Sequence, residues 1–571
     1  MLFFGIFFQF LFGFISTQED SEWPPNAQVN DGETFDYIIV GAGSAGSVLA
    51  SRLTELKNLR VLTIEAGGNP NDKGFVSVLD SEYVFSYQSQ YSATTGQAQK
   101  IPGVVPLLRG KMLGGSSSCN GMWYCRGNPE DYNLWAESGF NGWDWNTVFP
   151  YFLKSENFTG DLVMSDPVYY RYHNTTGPLK VTQPIEGDSN YKRAMDIMQT
   201  ALDEIGIRPI VDYNGPSQFG ASPLSLTFSD KRVRSSTARA FLRPNKDREN
   251  MFILKYAYAT KILIDKNQTA YGVEVYVQNK TVTFFANKEI FVCAGALNTP
   301  KLLMASGIGP RENMNNLNIS VKFELPVGSN LQDHFLLPIL LTGVKDHEYT
   351  DKANNVYPTL NGFYSVENFR RPEFQVSTNF YSKSSEQIGG HFSFVLNYND
   401  DMVKDIEEKN INQEIIVVQI QLLHPKSSGK VIVKGVDYDI DPEFYMDYFS
   451  DKEDLELTLK GIKEVLKVRE TTYFRNANSS VVELDLPACK DYAFLSDEYW
   501  KCYALAMSAS GFHPARTCAM GKVVDTNFKV YGVNRLRVID ASVFYDMPSG
   551  NLNAVVIMMA ERAADLIKNG L

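Results

Sequence analysis

The stretch FDYIIVGAGSAGSVLASRLTELKNLRVLTIE, residues 35–65, restricts the possible folds more than any other part of the chain. Phe35 to Val40 is a short apolar run, rich in β-branched residues and ending at a glycine, the pattern of a buried parallel strand. Val48, Leu49, Leu53 and Leu56 then recur at helical spacing, and Leu59 to Ile64 reads as a second strand that closes on Glu65. The three glycines between strand and helix have separate tasks. Gly41 makes the tight turn, Gly43 lets backbone N–H groups approach a pyrophosphate, and Gly46 lets helix and strand pack closely, with the phosphates at the helix N-terminus. Glu65 follows Gly46 by 19 residues, where an acid can hold ribose hydroxyls. A lone GxGxxG carries little weight. Strand, helix, second strand and terminal acid in register point to an α/β dinucleotide-binding domain, with FAD and NAD both open at this stage.

With 571 residues, the chain has room for two large domains sharing a core. Hydrophobic residues at 44% and charged residues at 21% are those of an ordinary globular protein rather than a disordered one. The 54 Lys and Arg against 66 Asp and Glu give a net charge of −12 with no basic cluster, so no nucleic acid partner is expected. Leu2 to Ile15 are nearly all apolar and are followed by Gln18, Glu19 and Asp20. That run is shorter than the roughly 20 residues a membrane helix needs and suits a signal-peptide core, so residues 1–17 read as a signal peptide of a secreted protein, an uncleaved anchor being the alternative. No later stretch reaches membrane-spanning length, and the oligomeric state is left open. The six cysteines, at 119, 125, 293, 489, 502 and 518, lack CxxC spacing and an adjacent histidine cluster, so no metal site is expected. Cys489 and Cys502, in CKDYAFLSDEYWKC, are the best candidate disulfide.

Later stretches narrow the choice. RGKMLGGSSSCNGMWYCRGN at 109–128 carries Arg109, Gly114, Gly115, Ser116, Ser117 and Asn120. GALNTPKLLMASGIGP at 295–310 reads as a two-turn helix that Asn298 caps, Pro300 opens and Gly307 ends. GFHPARTCAMG follows at 511–521, and LRVIDASVFYDMPSGNLNAVVIMMAERAADLI reads as a strand over Leu536 to Asp540 and an amphipathic helix over Ala554 to Ile567, behind the cap-rich Ser549-Gly550-Asn551. Together with the first glycine loop, these stretches resemble the glucose-methanol-choline (GMC) oxidoreductases, which use FAD, and in particular their secreted insect glucose-dehydrogenase-like branch.

The resemblance runs from about residue 33 to the end. It implies an α/β protein with a discontinuous Rossmann-like FAD domain (33–160, 226–330 and 511–571) and a substrate domain with an antiparallel sheet backed by helices (161–225 and 331–510). Strand-like alternation in IIVVQIQLL (415–423) and KVIVKGV (430–436) fits that sheet. It further implies that FAD meets Gly41, Gly43, Ser44, Ala45, Gly46, Glu65, Ala66, Arg109, Gly114, Gly115, Ser116, Ser117, Asn120, Gly121, Ala259, Asp540, Ala541 and Asn553, and that His513 and Asn551 face the substrate side of the flavin.

Oxidising an alcohol requires removal of its hydroxyl proton as hydride leaves the carbon, and histidine titrates in the range that suits a base near neutral pH. An asparagine cannot take a proton, but its amide can donate to the developing alkoxide. The expected activity is therefore FAD-dependent oxidation of a small-molecule alcohol, a sugar, an aromatic or aliphatic alcohol or an ecdysteroid, with oxygen or a quinone as acceptor. A hydroxynitrile lyase that uses the same histidine, and a secreted ligand-binding paralogue without turnover, are the alternatives. His334 reads as a structural neighbour of the cofactor, and His173, His347, His391 and His424 as ordinary surface or core residues. Trp123, Tyr124 and Tyr545 are candidate wall residues. Arg516 stands where the resembling loops have glycine, so the loop bends differently, the charge reads the substrate, or the side chain points to solvent. Cys119 stands where some resembling proteins link FAD covalently. A bland thiol and non-covalent FAD are expected.

Overall fold

Two sheets divide the chain between them in the computed structural model, which describes residues 22–70, 82–183, 189–229, 233–345 and 358–571. Residues 1–17, read as a signal peptide, and His347 lie outside those residues. The first sheet has seven strands. Met251–Leu254, Val61–Ile64, Thr34–Val40 and Lys280–Val292 run parallel in that order, Leu536–Val538 also joins Lys280–Val292 in parallel, and Ala270–Val277 and Tyr258–Ile264 extend the sheet antiparallel. Ile38, Ile39, Val61 and Leu62 are wholly buried, as a β-branched strand covered on both faces should be.

Helix Ser44–Leu53 follows the glycine turn and packs against helix Asn553–Lys568, which also packs on Trp145–Ser155. That wedge changes the reading of the last helix. Ala554 through Ala564 are buried on every face rather than on one, and the buried Glu561 takes Arg52 in a two-point contact at 2.9 and 2.8 Å. Ser549 does not cap this helix; its hydroxyl bonds Asp131, and the helix starts at Asn553 behind Leu552 without a side-chain cap.

The 295–310 stretch also differs from expectation. Its helix runs Gly295–Ala305, longer than two turns, with Pro300 inside it and Asn298 accepting a hydrogen bond from the Tyr87 hydroxyl instead of capping. Asp540 supplies the cap from outside, accepting from the Gly295 N–H at 2.9 Å and the Thr299 hydroxyl at 2.6 Å. The Ala296 carbonyl, which a proline four residues on cannot serve, accepts instead from the Thr517 hydroxyl at 2.6 Å. Gly307 follows the last turn.

The second sheet is antiparallel throughout, in the order Ala509–Ser510, Phe335–Thr342, Ile415–Leu422, Phe374–Tyr381, Pro358–Tyr364, Gly220–Pro223. Helices Ser189–Glu204, Lys452–Leu466 and Asp497–Met507 pack against it. IIVVQIQLL belongs to this sheet. KVIVKGV does not: only Gly429–Ile432 is extended there, in a separate small sheet with Ser329–Leu331 and Glu443–Tyr445, and Val436 is exposed. A disulfide joins Cys489 to Cys502, with the Cα atoms 5.7 Å apart. A closed loop of this length stabilises by about 3 kcal/mol.

Candidate active site

A cavity of about 1570 Å³ lies between the two sheets and takes walls from both. Gly41, Gly43, Ser44, Ala45, Glu65, Ala66, Arg109, Gly115, Ser116, Asn120, Gly121, Ala259, Asp540, Ala541 and Asn553 line it, as do His513 and Asn551. Gly46, Gly114 and Ser117 stand behind the wall. A Cβ on Gly46 would sit 1.8 Å from the Gly41 carbonyl oxygen, so Gly46 sets the contact of helix and turn; Ser117 donates to the Gly114 carbonyl at 2.7 Å beneath the second glycine turn.

The nucleotide end of the cavity fits FAD. The two glycine turns close on each other until a Cβ on Gly115 would lie 2.8 Å from the Gly43 Cα, which leaves backbone at the surface of the cavity. Helix Ser44–Leu53 has no side-chain cap and no acid in its first turn, so its first N–H groups and the positive end of its dipole are available to an anion. Glu65 accepts from the Ala42 N–H at 2.8 Å and the Gly67 N–H at 2.9 Å and keeps further acceptor capacity toward the cavity it lines. Burial raises its carboxyl to about 7.

At the other end, His513 Nε2 lies 3.1 Å from Asn551 Nδ2, and His513 Nδ1 lies 3.1 Å from His334 Nδ1. His334 Nε2 is in turn 2.9 Å from the Leu423 carbonyl. A carbonyl only accepts, so His334 Nε2 carries the proton, and burial, which pushes His334 down to about 4, keeps the ring neutral. His334 Nδ1 therefore accepts from His513 Nδ1–H, and the lone pair of His513 Nε2 is left facing the cavity. Burial holds His513 well below the usual histidine range, with Arg109 adding to the effect. Gln375 Nε2 donates to Asn551 Oδ1 at 3.1 Å and so turns the Asn551 amino group toward His513.

The loop that presents His513 is tied down at each residue. Gly511 N–H donates to the His334 carbonyl at 2.6 Å, Phe512 takes φ +59°, its carbonyl accepts from Arg109 at 2.8 Å, and His513 N–H donates to Asp333 at 2.7 Å. Ser510 and Tyr448 hold Asp333, each at 2.6 Å. Across the cavity, Asp131 accepts from the Ser549 N–H at 2.7 Å and its hydroxyl at 2.8 Å, and Gln218 donates to the Ser549 carbonyl at 2.7 Å, two residues before Asn551.

The remaining histidines divide. His173 sits 3.2 Å from both Glu156 and Asp212 in a buried network with Arg126, and His424 lies 3.0 Å from Ser549. His391 lines the cavity beside Gln419, a place its sequence surroundings do not show. Trp123 is in the wall; Tyr124 is buried away from it, and Tyr545 packs on Phe140. Arg516 takes the left-handed backbone that favours glycine, φ +71°. Its guanidinium turns to Gln332 and, at 3.7 Å, to Asp546, and it is absent from the cavity wall and mostly covered from solvent. Cys119 lines the cavity as a thiol whose pKa burial raises. The substrate-side polar residues Gln375, Ser377, Asn379, Gln419 and Gln421 escaped the sequence reading, although their period-two placement in FQVSTNFY and IIVVQIQL was visible.

A mixed dinucleotide-type sheet, an antiparallel sheet and an imidazole–carboxamide pair in the cavity between them are the arrangement of a flavin-type oxidoreductase. The GMC oxidoreductase N-terminal domain matches residues 35–336 and the C-terminal domain residues 425–560, and the chain belongs to this family. It is 36% identical to an ecdysone oxidase of Bombyx mori over 568 residues, covering 96% of this chain and 83% of that one. It is 31% identical to a glucose dehydrogenase (FAD, quinone) of Drosophila melanogaster, covering 94% of this chain and 87% of that one. Among solved structures, pyridoxine 4-oxidase from Mesorbium loti superposes with a TM-score of 0.77 at 26% identity, over 94% of this chain and 99% of that one. The protein is an FAD-dependent oxidoreductase of the class that acts on CH–OH donors. Among the described residues no helix is long and apolar enough to cross a membrane, and no cluster of metal-ligating side chains occurs.

Proposed function

We propose that the protein oxidises a small-molecule alcohol, with His513 Nε2 removing the hydroxyl proton and Asn551 Nδ2 donating a hydrogen bond to the oxygen as it becomes an alkoxide. The supporting observation is the chain from the Leu423 carbonyl through His334, which leaves a lone pair on the one His513 nitrogen that meets Asn551. Bound FAD supplies the hydride acceptor and passes the electrons on to oxygen or a quinone. Gly43, Ser44 and Ala45 would hold its pyrophosphate and Glu65 its ribose, with Arg109, Gly115, Ser116, Asn120, Gly121, Ala259, Asp540, Ala541 and Asn553 around the rest. The attachment is non-covalent: the half-buried Cys119 thiol has a raised pKa and lies 3.7 Å from the Ser116 carbonyl. Secretion is part of the same reading, supported by the Cys489–Cys502 disulfide. An anaerobic screen of alcohols, followed at the flavin absorbance, tests the redox step. Bleaching is expected; a flavin that stays oxidised while cyanohydrin is cleaved would make the protein a lyase, and one that stays oxidised with every ligand would make it a binding protein. Reoxidation by oxygen against a quinone then separates oxidase from dehydrogenase.

A further inference from the structure

Strands Phe374–Tyr381 and Ile415–Leu422 are buried along their whole length, yet their two faces differ. One face, Phe374, Val376 and Phe380 with Ile416, Val418, Ile420 and Leu422, belongs to the apolar core. The other carries Gln375, Ser377 and Asn379, with Gln421 opposite Gln375 and Gln419 opposite Ser377. Five amide or hydroxyl side chains between 2% and 8% exposed are costly in a sheet that faces only protein. All five instead line the cavity, and His391, 3.0 Å from Gln419, continues the row. Gln375 marks the reactive end, since it bonds Asn551, and its Oε1 is buried without a partner. At about 3.3 Å per residue, the row from Gln375 to Asn379 extends roughly 13 Å from the proton-removing pair. Met122, Trp123, Leu226, Leu336, Phe394 and Val403 add apolar surface to the lining, and Glu386, Gln387, Ser393 and Glu407 line it beside His391.

We infer that this row reads hydroxyl or carbonyl groups remote from the oxidised carbon, so that the donor is an elongated, largely apolar alcohol oxygenated along one edge. A small alcohol reaches only the His513 end. A sugar is too short for the row. The inference rests on the reading of the protein as an alcohol oxidoreductase and adds Ser377, Asn379, Gln419 and His391 as determinants of specificity.

The test uses the FAD-loaded protein under anaerobic conditions with ecdysone, glucose and benzyl alcohol, reading flavin bleaching. Ecdysone is expected to exceed both others in kcat/KM by about tenfold or more, and Asn379→Leu and Gln419→Leu are each expected to cut the ecdysone to benzyl alcohol ratio about tenfold, as loss of one buried hydrogen bond does. FAD content reports whether the variants fold; Ser377→Ala, which removes one hydroxyl, replaces either that does not. Glucose or benzyl alcohol matching ecdysone, or a ratio that stays the same in the variants, overturns the inference. Bleaching by none of the three defeats the redox reading alone. In that case the ecdysone Kd, read from the shift it causes in the flavin spectrum, decides: about tenfold weakening by Asn379→Leu sustains the row, and an unmoved Kd or no binding ends it.

Discussion

The inner strands of the two sheets are equally buried, yet they meet the cavity in opposite ways. In the seven-stranded sheet Ile38, Ile39 and Leu62 are dry on both faces, and the cavity is met at strand ends by backbone, where glycines leave side chains out. In the six-stranded sheet the strands meet the cavity along their length, through side chains set at every second position. Burial alone therefore does not tell a core strand from a recognition strand; the polarity of one face does. Adding a Cβ should damage the first half, and changing a polar head group should damage the second.

The chemistry joining the halves gives the largest expected effect. His513→Ala should lower the rate of flavin reduction by about 10²- to 10⁴-fold with FAD still bound, measured by anaerobic rapid mixing. His513 touches the substrate end and none of the turns that would hold the pyrophosphate. Loss of FAD from this variant would show that the halves are not separable. Gly46→Ala tests the backbone half: its Cβ would fall 1.8 Å from the Gly41 carbonyl oxygen, a backbone atom that cannot swing away. A cost of about 2–3 kcal/mol is expected, with reduced FAD content, from unfolding curves and the protein-to-flavin absorbance ratio. A stable variant retaining full FAD would mean that the helix can slide without disturbing the phosphate site.

The same contrast decides what could be read from the sequence. The strand, turn and helix at 34–53 follow one another directly, and their apolar periods and glycine spacing are local signals, so spacing revealed them. His513 and Asn551 were legible because their loops carry recognisable strings. The start of Gly295–Ala305 was not, because its cap is Asp540 and the partner of its free carbonyl is Thr517, both more than 200 residues away. Local capping rules register neither. The tautomer of His513 was equally hidden, since it follows from Leu423 and His334, brought together by pairing of Ile415–Leu422 with Phe335–Thr342. The polar row was visible as a period of two, but nothing in one strand says which face meets a cavity.

Titration sharpens the contrast on the substrate side. His391 is buried and held down at about 4, so the folded protein leaves it neutral while the unfolded chain protonates it as pH falls through 6.5. Its contribution is thus full above pH 6.5 and is lost as pH falls toward 4. Glu65, raised to about 7, acts in the opposite direction, gaining stability for the fold as pH falls from 7 toward 4.5. Comparison with His391→Gln cancels the Glu65 contribution. Between pH 7.5 and 5.5 the parent should lose about 1.4 kcal/mol more than the variant, measured by urea unfolding. Parallel losses in the two proteins would mean that His391 is solvated through the cavity and titrates normally.

Arg516 should give the smallest effect, because two contributions oppose each other there. Its φ of +71° costs an arginine about 1 kcal/mol that glycine would not bear. Its contacts with Gln332 and Asp546 involve a partly exposed guanidinium and are worth about as much, while Asp546 keeps Arg371 at 2.7 Å whether or not Arg516 is present. Arg516→Gly should therefore shift stability by no more than about 1 kcal/mol. Since the side chain is absent from the cavity wall, kcat/KM should stay within about threefold for every alcohol, charged or neutral. A selective loss on acidic alcohols would place the guanidinium in the cavity during turnover, and recognition on the substrate side would then extend from the strand faces into the loop that carries His513.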